Sequence, residues 1–114
     1  MSVYSENYKK VLAGYVKILN SIDSLTHSGQ LACIPNMLNS WVDLVDMYCT
    51  EVAHDKTSIH RKRNADKLCT AAKEMFDDLK GFFQFRSEEL TPEEYTGVFK
   101  NVRVKPLNEF EYDN

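Results

Sequence analysis

Two pairs of acidic side chains are spaced so that each pair would share one face of a helix. Asp43 and Asp46 fall in one predicted helix, and Glu74 and Asp77 fall in the next. Residues three apart are neighbours on a helix surface. Four such carboxylates could hold Mg²⁺, which prefers oxygen ligands and bridges to phosphate groups. The spacing therefore indicates metal-assisted phosphate chemistry, with two solvated acidic faces as the plainer alternative.

The order of these acids resembles the all-α nucleotide pyrophosphatases of the MazG type, whose motif is ExxE followed later by ExxD. The resemblance covers those four positions, and aspartates stand in place of both glutamates of the first pair. It implies a Mg-dependent enzyme that hydrolyses nucleoside triphosphates, with Asp43, Asp46, Glu74 and Asp77 as metal ligands. However, the apolar spacing of their helix turns Asp43 and Asp46 away from the predicted core. The pyrophosphatase is therefore an alternative hypothesis only.

A compact basic run begins the third predicted helix. It comprises His60, Arg61, Lys62 and Arg63, followed one turn later by Lys67. Phosphate recognition needs such charge, although no aromatic side chain is interleaved to stack on bases. Cations at a helix N-terminus oppose the helix dipole, which suggests a nucleotide or an acidic partner surface. A solvated end of the bundle is the competing interpretation, so nucleotide or nucleic-acid binding is a second alternative.

Aromatic residues supply the leading functional hypothesis. Tyr4, Tyr8 and Tyr15 repeat along the first helix, and Phe110 and Tyr112 stand among acidic residues in the tail. Tyrosine is enriched at protein interfaces because it buries much area and keeps a polar tip. The competing interpretation is that aromatics fill the core of a small bundle. We expect these five residues to contact a protein partner.

Composition narrows the class of protein. The formal net charge is −3 and three cysteines are present. An odd number of dispersed cysteines indicates reduced thiols and a cytoplasmic protein. No apolar run approaches the length of a membrane span, no secretory signal is indicated, and no GxSxG, GxGxxG or P-loop motif occurs. No cofactor and no membrane partner is expected.

Heptad-like apolar spacing predicts three long helices. They cover residues 4–25, residues 35–53 after a loose turn near Leu31, and residues 59–86. The first two apolar seams comprise Tyr4, Tyr8, Val11, Tyr15, Ile18, Ile22 and Leu25, and then Ile34, Leu38, Trp41, Val45, Tyr48 and Val52. The third comprises Ala65, Leu68, Ala72, Met75, Leu79 and Phe82, with Cys69, Phe76 and Phe83 alongside.

A capping box that starts at Thr91 predicts a short fourth helix at 92–100. Pro106, which is not tolerated in a helix interior, then favours an extended conformation for the remaining chain. The tail either packs back on the bundle or docks on a partner. We predict an all-α domain at residues 1–101, an antiparallel bundle of three long helices plus the short fourth one. An extended C-terminal tail at 102–114 follows.

This domain is expected to form a homodimer. The leading function is that of a small cytoplasmic, non-enzymatic protein-interaction module: an adaptor, inhibitor or regulator. Its size and plainness fit an accessory protein of a phage or mobile element.

Overall fold

The chain forms a bundle of three long helices. The computed structural model describes residues 2–26 and 28–90, with only the backbone at position 28. Helix α1 spans Val3–Asp23, α2 spans Cys33–Ala53 and α3 spans Arg61–Leu90, with a short 3₁₀ turn at Ser28–Gln30. The prediction of three long helices is confirmed, and no strand occurs within the described ranges. The predicted fourth helix, the tail and the boundary after residue 101 lie outside the described residues.

Hydrogen bonds between helices establish their directions. Asn7, near the start of α1, donates from Nδ2 to the carbonyl of Tyr48 near the end of α2, at 3.1 Å. Arg86, near the end of α3, donates to the carbonyls of Asp23, at 3.4 Å, and Leu25. Therefore α1 and α2 are antiparallel, whereas α1 and α3 run in the same direction. Each helix packs against both others.

The predicted seams of α1 and α2 largely form the core. Val11, Ile18, Ile22 and Leu25 are buried from the first segment. From the second, the buried residues are Leu31, Ile34, Leu38, Trp41, Val42, Val45, Cys49, Val52 and Ala53. Leu44, which does not belong to the predicted seam, is 45% exposed.

The predicted seam of α3 is wrong at its C-terminal end. Phe83 is 0% exposed, whereas Phe82 is 50% exposed. A straight helix repeats at about 3.6 residues per turn. Phe83 is therefore about five whole turns after the buried Ala65 and lies on the same face of α3. The heptad spacing used for the prediction drifts from that period over several turns. The helix also continues to Leu90, four residues beyond the predicted end at 86.

Trp41 joins the three helices at the middle of the bundle. Its indole Nε1–H donates to the carbonyl of Val11 on α1 at 3.0 Å. Its ring is nearly parallel to that of Phe76 on α3, with an interplanar angle of 9° and centroids 6.5 Å apart. Gly14 provides the space, because a Cβ added there would lie 2.5 Å from Trp41 Cδ1. This glycine therefore permits a close contact between α1 and α2.

Candidate functional site

The acidic pairs lie on the outside of the bundle. Asp43, Glu74 and Asp77 are exposed, and Asp46 is partly buried. Within residues 2–26 and 28–90, no group of three or more His, Cys, Asp or Glu side chains is placed to hold a metal ion. The two pairs therefore do not assemble the magnesium site that the pyrophosphatase hypothesis requires.

The basic run divides between two surfaces. Arg61 and Lys62 line a shallow concavity with Lys56 at the turn before α3. Arg63 and Lys67 instead face a depression beside α1, where Asp66 and Glu74 also lie. Successive helix residues are about 100° apart around the axis, so Arg61 and Arg63 project from roughly opposite sides of α3. His60 is exposed at the turn. Among the residues that the structure describes, the run therefore forms no single basic surface of the kind that follows a phosphate backbone.

The three tyrosines of α1 are half-buried. Tyr4, Tyr8 and Tyr15 all pack against the edge of the core. The rings of Tyr4 and Tyr8 are 6.2 Å apart and inclined at 54°. Tyr4 also lines the depression with Lys67. Each tyrosine therefore contributes to packing and still presents part of its surface, whereas Phe110 and Tyr112 lie outside the described residues.

An apolar depression lies between the ends of α1 and α3. It has a volume of about 440 Å³, and its apolar walls include Leu19, Ile22, Phe82 and Phe85. Phe82 is 50% exposed and Phe85 is 62% exposed. Arg86 lines the same depression and forms a 2.7 Å ion pair with Glu89.

Exposed apolar side chains of α1 extend beyond this depression toward the start of the helix. Val16 and Leu12 are exposed one and two turns, respectively, before Leu19. The helical spacing of residues 12, 16 and 19 places them on one stripe. Nearer the start of α1, Tyr4 lines a separate depression together with Lys67 of α3. We call this surface, from Tyr4 and Lys67 to Leu19, Phe82 and Phe85, the α1–α3 groove.

The predicted apolar seams do not distinguish the residues of the groove from those of the core. The predicted α3 seam includes Phe82, whereas Leu12, Val16 and Phe85 belong to none of the predicted seams. The available signal was the 3.6-residue period through Leu79 and Phe83, which turns Phe82 outward.

Two thiols meet between α2 and α3. A hydrogen bond with Cys69, together with burial, raises the pKa of Cys49 far above its ordinary value. Both side chains are buried, whereas Cys33 is exposed and donates from Sγ to the carbonyl of Gln30 at 2.9 Å. All three cysteines are free thiols. Cys49 and Cys69 therefore act as small apolar core residues in this structure.

The raised pKa of Cys49 predicts a loss of stability in alkaline solution. The folded chain keeps this thiol neutral, whereas the unfolded chain ionises it above the ordinary pKa of 9.0. The contribution of the Cys49 thiol to the free energy of unfolding is complete below that pH. Above it, the free energy of unfolding decreases by about 1.4 kcal/mol per pH unit. Urea titrations at neutral and alkaline pH should show the fall, and Cys49→Val should reduce it. An identical fall in the variant would contradict this assignment.

The groove is the surface of this bundle with the largest concentration of exposed aromatic side chains among the described residues. None of the described helices is both long and apolar enough to cross a bilayer. Comparison of the chain with family models, curated proteins and solved structures finds no match.

Proposed function

We propose that the protein is a non-enzymatic interaction module that binds a partner protein through the α1–α3 groove. The observation that carries this proposal is the exposure of Phe82 and Phe85, at 50% and 62%, beside the buried Phe83. Large apolar side chains exposed together in a depression mark interaction sites more often than isolated ones do. An adaptor, inhibitor or regulator would act by such contacts.

The shape of the groove favours an amphipathic helical segment as the bound element. Two helices that lie side by side leave a furrow in which a third helix can place its apolar face. Leu19 of α1 lines the depression together with Phe82 and Phe85 of α3, and Leu12 and Val16 are exposed on the same stripe of α1. The half-buried tyrosines Tyr4, Tyr8 and Tyr15 add to the apolar surface of α1, which agrees with their expected role in partner contact.

Partner capture with three versions of the full chain tests this proposal. The baits are the natural sequence, the groove variant Phe82→Glu/Phe85→Glu, and the control Leu44→Glu/Met47→Glu on α2. The control residues are 45% and 52% exposed, close to the 50% and 62% of the groove residues. We expect the groove variant alone to lose the partner, because a charged side chain in an apolar contact must be desolvated.

Quantitative mass spectrometry of the captured proteins provides the measurement. Circular dichroism should show the same helical content in all three baits. A synthetic helix from the captured protein should then bind the natural chain and not the groove variant. Equal recovery on all three baits would show that the groove is not the binding surface.

The tyrosines need a milder substitution than alanine. Because Tyr8 and Tyr15 pack against the core, alanine would reduce stability as well as contact area. Tyr8→Phe/Tyr15→Phe keeps the ring and removes only the hydroxyl groups.

The homodimer stays a prediction, which light scattering of the natural chain tests directly. A cytoplasmic location stays part of the proposal.

A further inference from the structure

We infer that the chain's own C-terminal segment, residues 91–114, folds back along the α1–α3 groove and occupies it when no partner is bound. The inference rests on the proposed function, because it assigns regulation of partner binding to the same groove. Three features support this occupant: where the segment begins, the spacing of its apolar residues, and its charge.

The segment begins beside the apolar end of the groove. Helix α3 ends at Leu90, and Phe85 and Glu89 on its last turns line the depression. The distance from Arg86 back to Arg63 along α3 is about 35 Å at about 1.5 Å per residue. Residues 91–114 span more than that length even if their first part is helical, because extended chain covers about 3.3 Å per residue. The segment can therefore follow the entire groove.

The apolar residues of the segment match the part of the groove that they would meet first. Tyr95, Val98 and Phe99 have the spacing of one helical face, after the capping box at Thr91. A chain that turns after Leu90 and reverses direction brings this face toward Phe82 and Phe85. Reversal would place a fourth antiparallel element beside α1 and α3, the arrangement of an up-and-down four-helix bundle.

Opposite charges meet at the far end, where acidic residues of the segment would approach two cations of α3. Glu109, Glu111 and Asp113 alternate with Phe110 and Tyr112. The start of α3 carries an excess of positive charge over residues 56–67, and Arg63 and Lys67 line the depression beside Tyr4. Asp66 and Glu74 share that depression and reduce the attraction locally. Of the basic run, Arg63 and Lys67 would contact the acidic segment there, whereas Arg61 and Lys62 line the other concavity.

An occupied groove would weaken partner binding. A ligand that binds only the open form loses apparent affinity in proportion to the open fraction. Substitutions that release the segment should therefore increase partner capture. Tyr95→Ser/Val98→Ser/Phe99→Ser removes its apolar face and leaves the three described helices unchanged in sequence.

Photo-cross-linking in the full chain tests the inference without a partner. The amino acid p-benzoylphenylalanine replaces Phe99 in one protein and Tyr112 in another. Each is mixed with isotope-labelled chain before illumination, so that mass spectrometry distinguishes links within a chain from links between chains. We expect the probe at position 99 to attach within its own chain to the stretch around Leu19 or Phe85. The probe at position 112 should attach near Tyr4 or Lys67, and those links should decrease at high salt.

The matched variants complete the test. Phe82→Glu/Phe85→Glu should abolish the links from position 99, and Leu44→Glu/Met47→Glu should leave them unchanged. Links mainly between chains would overturn the inference in favour of a second copy as the occupant. Links outside the groove, or none, would overturn it as well. Neither outcome affects partner capture, so failure of this inference is distinguishable from failure of the proposed function.

Discussion

Replacement of Phe83 by alanine is expected to cost about 3–5 kcal/mol of the free energy of unfolding, as for other fully buried aromatic side chains. Phe83 is 0% exposed and belongs to the core that all three helices share. The loss combines removal of apolar area with the cavity left behind. Urea titration followed by far-ultraviolet circular dichroism measures it. Because small domains have only about 5–15 kcal/mol of stability, the variant would be close to unfolding.

The neighbouring phenylalanine provides the control. Phe82→Ala removes the same side chain from a position that is 50% exposed. It should reduce stability by far less, because most of the apolar area there is already in contact with water. If Phe82→Ala costs as much as Phe83→Ala, the position of the core along α3 is wrong. The groove proposed for partner binding would then be part of the core.

Gly14→Ala is expected to destabilise the bundle although alanine is the better helix former. An added Cβ would lie 2.5 Å from Trp41 Cδ1 and 2.9 Å from Nε1. The indole cannot move aside without loss of its hydrogen bond to Val11 and its contact with Phe76. Overpacking costs about 1–3 kcal/mol, whereas the gain in helix propensity is about 1 kcal/mol. Thermal unfolding should show a net decrease in the melting temperature.

Gly81 is the matched glycine in α3. A Cβ added there has no heavy atom within 4 Å, so Gly81→Ala should stabilise the protein by up to about 1 kcal/mol. The two substitutions are chemically identical, and only the surroundings differ. A stabilising effect at both glycines would show that Trp41 does not occupy the space beside Gly14.

Local periodicity sufficed to predict three helices and most of the core. The spacing of Val11, Ile18 and Ile22, and of Ile34, Leu38 and Trp41, identified residues that are buried. Such spacing works because a helix that packs lengthwise must repeat its apolar contacts at nearly fixed intervals. The residues themselves therefore contain the information about which face is covered.

Contacts that depend on a second helix could not be predicted from one helix alone. Asn7 is 1% exposed, and its buried amide donates a hydrogen bond to the carbonyl of Tyr48 on another helix. A polar residue gives no apolar signal from which this burial could be predicted. The groove depends on the relative direction of α1 and α3, which places Leu19 beside Phe82. Likewise, the placement of Glu74 relative to Asp43 depends on how α2 and α3 are rotated. The position of the candidate site therefore could not be predicted from the spacing of residues within single helices.

The position of Trp41 also has a spectroscopic consequence. It is the only tryptophan in the chain and is 3% exposed. Its indole contacts α1 through the Val11 carbonyl and α3 through Phe76, so separation of either helix from α2 would change its emission. Circular dichroism reports whether helices exist, whereas this fluorescence reports whether they remain docked. Coincidence of the two transitions would show that the bundle unfolds as one cooperative unit.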